Sequence, residues 1–102
     1  MASLETVEEN KIFFMVKVRV DLNKIPEFGK KIANREFDNS SIKSTYCLKD
    51  DPEVGYSIWE VKDEAEFEKK FNPYRPYHKE IEIFSVVLPA EAQKLIMQKF
   101  IK

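Results

Sequence analysis

The chain has 102 residues, room for one ordinary domain and a modest core. Lys and Arg number 17 against 18 Asp and Glu, a formal charge of -1, so no general electrostatic pull draws it to nucleic acid or an anionic membrane. It is 43% hydrophobic and 13% aromatic, which excludes a disordered chain, and its one cysteine and one histidine exclude an internal disulfide and a zinc-finger set.

Met1 to Asn10 is polar and acidic, lacks the apolar run of a signal peptide, and reads as a short flexible leader to a single domain over residues 11–102. No apolar stretch is long enough to span a bilayer, so no membrane partner is expected, and the location expected by default is cytoplasmic. Lys11 to Val20 predicts a strand. Its period of two sets Ile12, Phe14, Val16, Val18 and Val20 on one face and Phe13, Met15, Lys17 and Arg19 on the other. Asp21 or Asn23 can cap a following helix with Pro26 in its first turn. Ile25, Phe28 and Ile32 form its core stripe, and it should end near Arg35. Gly29 inside it costs about 1 kcal/mol relative to Ala, which close packing on the sheet would explain.

Ile42 to Leu48 and Gly55 to Val61 predict two strands, joined as a hairpin by the turn-rich Lys49 to Val54. Asp63-Glu64-Ala65-Glu66 is a helix start of capping-box type, with Phe67 and Phe71 as the core face and Asn72-Pro73 as the stop. Glu80 to Leu88 predicts a fourth strand. Pro89 opens a last helix to about Ile101, whose Leu95, Ile96, Met97, Phe100 and Ile101 cover a wide apolar arc.

This order, βαββαβ and then a helix, predicts an α+β, ferredoxin-like sandwich: a four-stranded antiparallel sheet with two helices on one face, plus a C-terminal helix. The second sheet face should be apolar too, since Tyr46 alternates with Cys47, Ile58 with Trp59 and Ile83 with Phe84. A bare apolar face is uncommon on a monomer, so the expected partner is a second copy of the chain, a homodimer through the open sheet face. The rival cover is the C-terminal helix, folded back or reaching across to the partner.

The densest chemistry lies in Tyr74-Arg75-Pro76-Tyr77-His78, which holds two phenols, a guanidinium and the only imidazole. Arg75 could grip a carboxylate in a bidentate pair, and His78 or Tyr77 could move a proton. The same segment also reads as a stiff helix-to-strand connection whose tyrosines pack on the sheet edge. Lys17 and Arg19 would make a cavity on their face attractive to a small anionic, partly apolar ligand; in water their stems would cover apolar neighbours instead. Trp59 is a core or interface anchor or a pocket wall. His78, Glu80 and Glu82 share one strand face at i, i+2 and i+4, but one imidazole and two carboxylates are a poor metal set, and neither metal nor cofactor is expected. Cys47, inside an apolar run, reads as a buried small hydrophobe.

The opening strand Phe13-Phe14-Met15-Val16, Ser57-Ile58-Trp59-Glu60-Val61 followed by Asp63-Glu64, the linker Pro73-Tyr74-Arg75-Pro76-Tyr77, and Glu82-Ile83-Phe84-Ser85-Val86-Val87 resemble the dimeric α/β-barrel superfamily over residues 11 to about 95. Within it the chain is most similar to the small DUF3303-like proteins of unassigned function. That superfamily includes cofactor-free monooxygenases, haem-degrading enzymes, muconolactone isomerases and amino-acid-sensing domains, so the resemblance implies a dimer and leaves the activity open. Trp59, His78 and an Asn invite comparison with the haem-degrading members, but Asn10 precedes the first strand and His78 lies far beyond Trp59. Val54 to Val61 superficially echoes the third-strand motif of RNA-binding RRM folds, but the leading basic residue and later aromatics are wrong. Three functions stand: a dimer that binds a small anionic or aromatic ligand, a cofactor-free monooxygenase or isomerase, and an interaction module acting through its C-terminal helix.

Overall fold

The structure, a computed structural model, describes residues 11–101; the expected leader Met1 to Asn10 lies outside the described residues. Strands β1 (Ile12–Val20), β2 (Ile42–Cys47), β3 (Val54–Val61) and β4 (His78–Val86) form one antiparallel sheet in the order β2-β3-β1-β4. Helices α1 (Ile25–Ala33) and α2 (Glu64–Phe71) serve the same sheet face, and α3 (Pro89–Ile101) follows β4. Short 3-10 segments, Leu22–Lys24 and Asn72–Tyr77, lead into α1 and out of α2.

The alternation along β1 sorts its side chains as expected. Phe14 and Val16 face α2 and are buried with Trp59, Val61, Phe67 and Phe71. Each such side chain removed from water contributes about 1.5–3 kcal/mol. The rings interlock as well as cluster. Phe14 lies 4.5 Å from Phe67, and Trp59 meets Phe67 and Phe71 edge-on at 5.4 and 5.8 Å. The start of α2 is fixed by the predicted cap. The Asp63 carboxylate accepts the Glu66 N–H at 2.8 Å, and the Glu66 carboxylate reaches back to accept the Lys62 N–H at 2.8 Å.

Helix α1 departs from expectation. Its predicted core stripe is largely open: Ile25 is 43% and Ile32 54% exposed, and only Phe28 is half-buried. A Cβ on Gly29 would find nothing within 4 Å, so close packing on the sheet does not account for that glycine. The helix ends at Ala33 with Asn34 as its C-cap, near the expected Arg35, which takes a left-handed φ of 57°. The strand edges shift too: β2 ends at Cys47, β3 begins at Val54, and β4 begins at His78 and ends at Val86.

The far face of the sheet carries Phe13 and Met15 beside Ile58, Phe84 and Val86, with Tyr46 71% exposed on the edge strand. Lys17 and Arg19 continue that face, as the alternation predicts. Helix α3 does not cover it: Leu95, Ile96, Met97 and Phe100 are all exposed, Phe100 to 80%.

Candidate functional site

Because α1 stands away from the sheet, a cavity of about 690 Å³ lies between them. Its floor is Val16, Val18 and Val20 of β1 with Gly55, Ser57 and Trp59 of β3, and Ile42, Thr45 and Cys47 line its β2 side. Phe28 and Ile32 of α1, with Arg35 and Phe37 from the loop that follows, form the roof, and Phe71, Tyr74 and His78 close one end. The size and the mostly apolar lining are those of a small-molecule site.

An aromatic bracket holds the roof in place. Phe28 stacks on Tyr77 with centroids 4.9 Å apart and planes 13° apart, and Phe37 stacks on Tyr74 at 4.4 Å. Tyr77 donates its hydroxyl to the Glu27 carboxylate at 3.1 Å. Tyr77 therefore packs against α1, and Tyr74 packs against the loop after α1 while meeting Trp59 of β3 edge-on at 5.9 Å. Burial, followed by the bond to Glu27, pushes the Tyr77 phenol above its ordinary pKa; burial, followed by the charge of Asp38, does the same to Tyr74.

His78 reaches the cavity through a break in register. Arg19 pairs with Glu80, but the next residue, Val20, pairs with His78, so Lys79 is an extra residue in β4. The bulge moves His78 to the α1 side, while Glu80 and Glu82 stay on the far side opposite Arg19 and Lys17. The expected shared face of His78, Glu80 and Glu82 is thereby overturned. Among the described residues no group of three His, Cys, Asp or Glu stands together as a metal site. The Nδ1 atom of His78 lies 2.8 Å from the Tyr74 carbonyl oxygen. A carbonyl only accepts, so Nδ1 carries the proton, and in the neutral ring Nε2 keeps its lone pair. Burial lowers the pKa of His78, partly offset by that bond, so the ring is neutral at pH 7.

Of the residues singled out in the sequence, Trp59, Tyr74 and His78 meet in the cavity wall. Tyr77 is buried behind it, under Phe28. Arg75 lies outside: its guanidinium pairs with Glu68 at 3.1 Å, donates to Asn72 at 2.9 Å and sits over the Phe71 ring. Lys17 and Arg19 are also outside, on the far face. Arg19 pairs with Asp51 at 2.9 Å and with Glu53 and Glu80, and Lys17 lies 3.9 Å from Glu82. Cys47 is exposed and lines the cavity rather than being buried. Sequence reasoning missed Arg35 and Phe37. Phe37 had a signal, a lone aromatic in a polar loop; Arg35 had none, because its role depends on a backbone conformation usually left to glycine.

No protein-family model and no curated protein matches the chain. Among solved structures it is similar to a candidate antibiotic biosynthesis monooxygenase from Bacteroides thetaiotaomicron, with 13% identity and a TM-score of 0.52 over 80% of this chain and 92% of that one. The fold is ferredoxin-like. In this ferredoxin-like domain the cavity occupies the gap between sheet and first helix, and the likeness at this identity is one of fold. Among the described residues no helix is long and apolar enough to cross a membrane.

Proposed function

We propose that the chain binds a small, largely aromatic molecule between α1 and the sheet. The observation that carries this reading is the 690 Å³ cavity itself, walled by Phe28, Phe37, Trp59, Phe71 and Tyr74 with a few polar groups among them. Flat aromatic walls favour offset-stacked or edge-on contact with a flat ligand. Calorimetric titration with 2-naphthol tests it. The expected result is saturable binding that Val18→Phe, which fills the floor, abolishes without unfolding the protein. Binding unaffected by that substitution would place the ligand elsewhere.

A second reading, a cofactor-free monooxygenase, is favoured by the state of His78. Its unprotonated Nε2 belongs to a neutral ring in an apolar cavity, as a base that removes a phenolic proton requires. The likeness in fold to the candidate monooxygenase of B. thetaiotaomicron accords with this reading. Dioxygen would be the co-reactant. Uptake of oxygen with dihydroxynaphthalenes above the uncatalysed rate, lost in His78→Gln, is the expected sign of it; isomerase chemistry would show proton exchange without oxygen uptake.

The assembly belongs to the same proposal. Two copies meet through the far face, which presents Tyr46 and Phe84, with the exposed Leu95, Ile96, Met97 and Phe100 of α3 as further apolar surface. The charges on that face are matched within the chain by Arg19 with Asp51 and Glu80 and by Lys17 with Glu82, so like faces approach without net repulsion. The finer kinship with the DUF3303-like group rests on the residue patterns alone. A cytoplasmic setting suits the single unpaired Cys47.

A further inference from the structure

We propose that Arg35 is the anion-recognition residue of the cavity, and that the ligand is an aromatic acid: a flat apolar body bearing a carboxylate. This rests on the reading of the cavity as a ligand site.

Arg35 occupies the residue just past the end of α1. Its N–H bonds to the Ile32 carbonyl at 2.9 Å, and the N–H of Glu36 bonds to the Lys31 carbonyl at 3.0 Å. That pair of bonds is the Schellman closure, and it needs a left-handed residue at the position of Arg35, where φ is 57°. Glycine fills that position without strain; a residue with a Cβ does not. A strained arginine invites a search for what its side chain does.

The charges around the cavity answer it. Among the described residues Arg19 and Arg75 have carboxylate partners, and no carboxylate lies within ion-pair distance of Arg35. The one carboxylate among the described lining residues, Glu53, is engaged by Arg19 at 3.5 Å, and His78 is neutral. Among the described residues the cavity thus carries one unmatched charge, a guanidinium at the rim of an apolar chamber. A guanidinium binds a carboxylate through two parallel hydrogen bonds, and the apolar walls strengthen the pair. The competing role, a cation placed at the negative end of α1, is already filled by Lys30 and Lys31 in its last turn.

The test uses two probes with one ring system, 2-naphthoate and neutral 2-naphthol, titrated calorimetrically at pH 7.5 into the full chain. A charge-assisted pair at the rim favours naphthoate by about tenfold or more. Arg35→Gly removes the guanidinium and relieves the left-handed backbone. It is expected to melt at or above the wild-type temperature and to lose the preference for naphthoate over naphthol. Arg35→Asn, which tolerates the left-handed region, is expected to lose the preference as well. Equal binding of the two probes by the wild type, or a preference that survives both substitutions, would overturn the role of Arg35 and leave the cavity reading standing. Failure of the wild type to bind either probe would overturn the cavity reading itself and this proposal with it.

Discussion

Replacing Phe28 by alanine should release α1 while leaving the sheet folded. Phe28 is the only residue of α1 that both leaves solvent in part and touches the aromatic bracket: it stacks on Tyr77 at 4.9 Å and meets Phe37 and His78 edge-on at 5.5 Å each. A fully buried Phe→Ala change costs about 3–5 kcal/mol, and for a half-buried ring roughly half of that, about 2 kcal/mol, is the appropriate share. The lost ring pairs add about 0.5–1.5 kcal/mol. No residue of α1 is fully buried, so this sum is much of what attaches the helix. Native-state hydrogen exchange reads it directly. A loss of about 2.5–3.5 kcal/mol lowers protection of the α1 amides by roughly 70- to 400-fold, with β1 and β3 amides unchanged. A parallel loss of protection across β1 and β3 would show that α1 is integral to the core. Unchanged α1 protection would show that something other than the bracket holds it.

His78 is half-buried with a lowered pKa, so the unfolded chain takes up its proton first as pH falls. Stability should hold above about pH 6.5 and decline below it until the folded-state pKa is passed, with a slope of at most about 1.4 kcal/mol per pH unit from this group. His78→Gln should flatten that part of the urea-denaturation profile, and an unaltered slope would show that His78 is not its source. A Cβ at Gly55 would lie 3.5 Å from Cys47 Sγ and 3.6 Å from the Tyr46 carbonyl oxygen, both ordinary contacts. Gly55→Ala should therefore raise stability by about 0.5–1 kcal/mol, and an equal loss would mean that β2 and β3 are closer than they stand here. A chain ending at Leu88 lacks α3, whose apolar side chains are exposed, and should keep its melting cooperativity yet sediment as a monomer; a truncated dimer would confine the interface to the sheet.

Much of this fold is visible in the residue pattern because strands and caps obey local rules. Alternation along Ile12–Val20 separates the core face from the charged face, and Asp63 with Glu66 marks the start of α2 to the residue. The candidate site was harder to read because it depends on departures from those rules. The stripe Ile25, Phe28 and Ile32 has helical spacing, but spacing cannot tell a helix pressed on a sheet from one held off it by rings on a distant linker. Period-two counting assigns His78 to the face of Glu80; one extra residue at Lys79 reverses that, and a bulge leaves no mark in a polar, exposed strand start. The cations Lys17, Arg19 and Arg75 looked available because their carboxylate partners, Glu82, Asp51 and Glu68, are fixed only by the fold.

The central claim is that the space between α1 and the sheet receives the ligand, and chemical-shift mapping tests it most directly. Titrating 2-naphthol into nitrogen-15-labelled protein should move the amide signals of Val16, Val18, Gly55 and Ser57 together with that of Phe28 on the opposite wall. Shifts gathered instead at Met15, Ile58 and Phe84 on the far face, or no shifts at all, would contradict it.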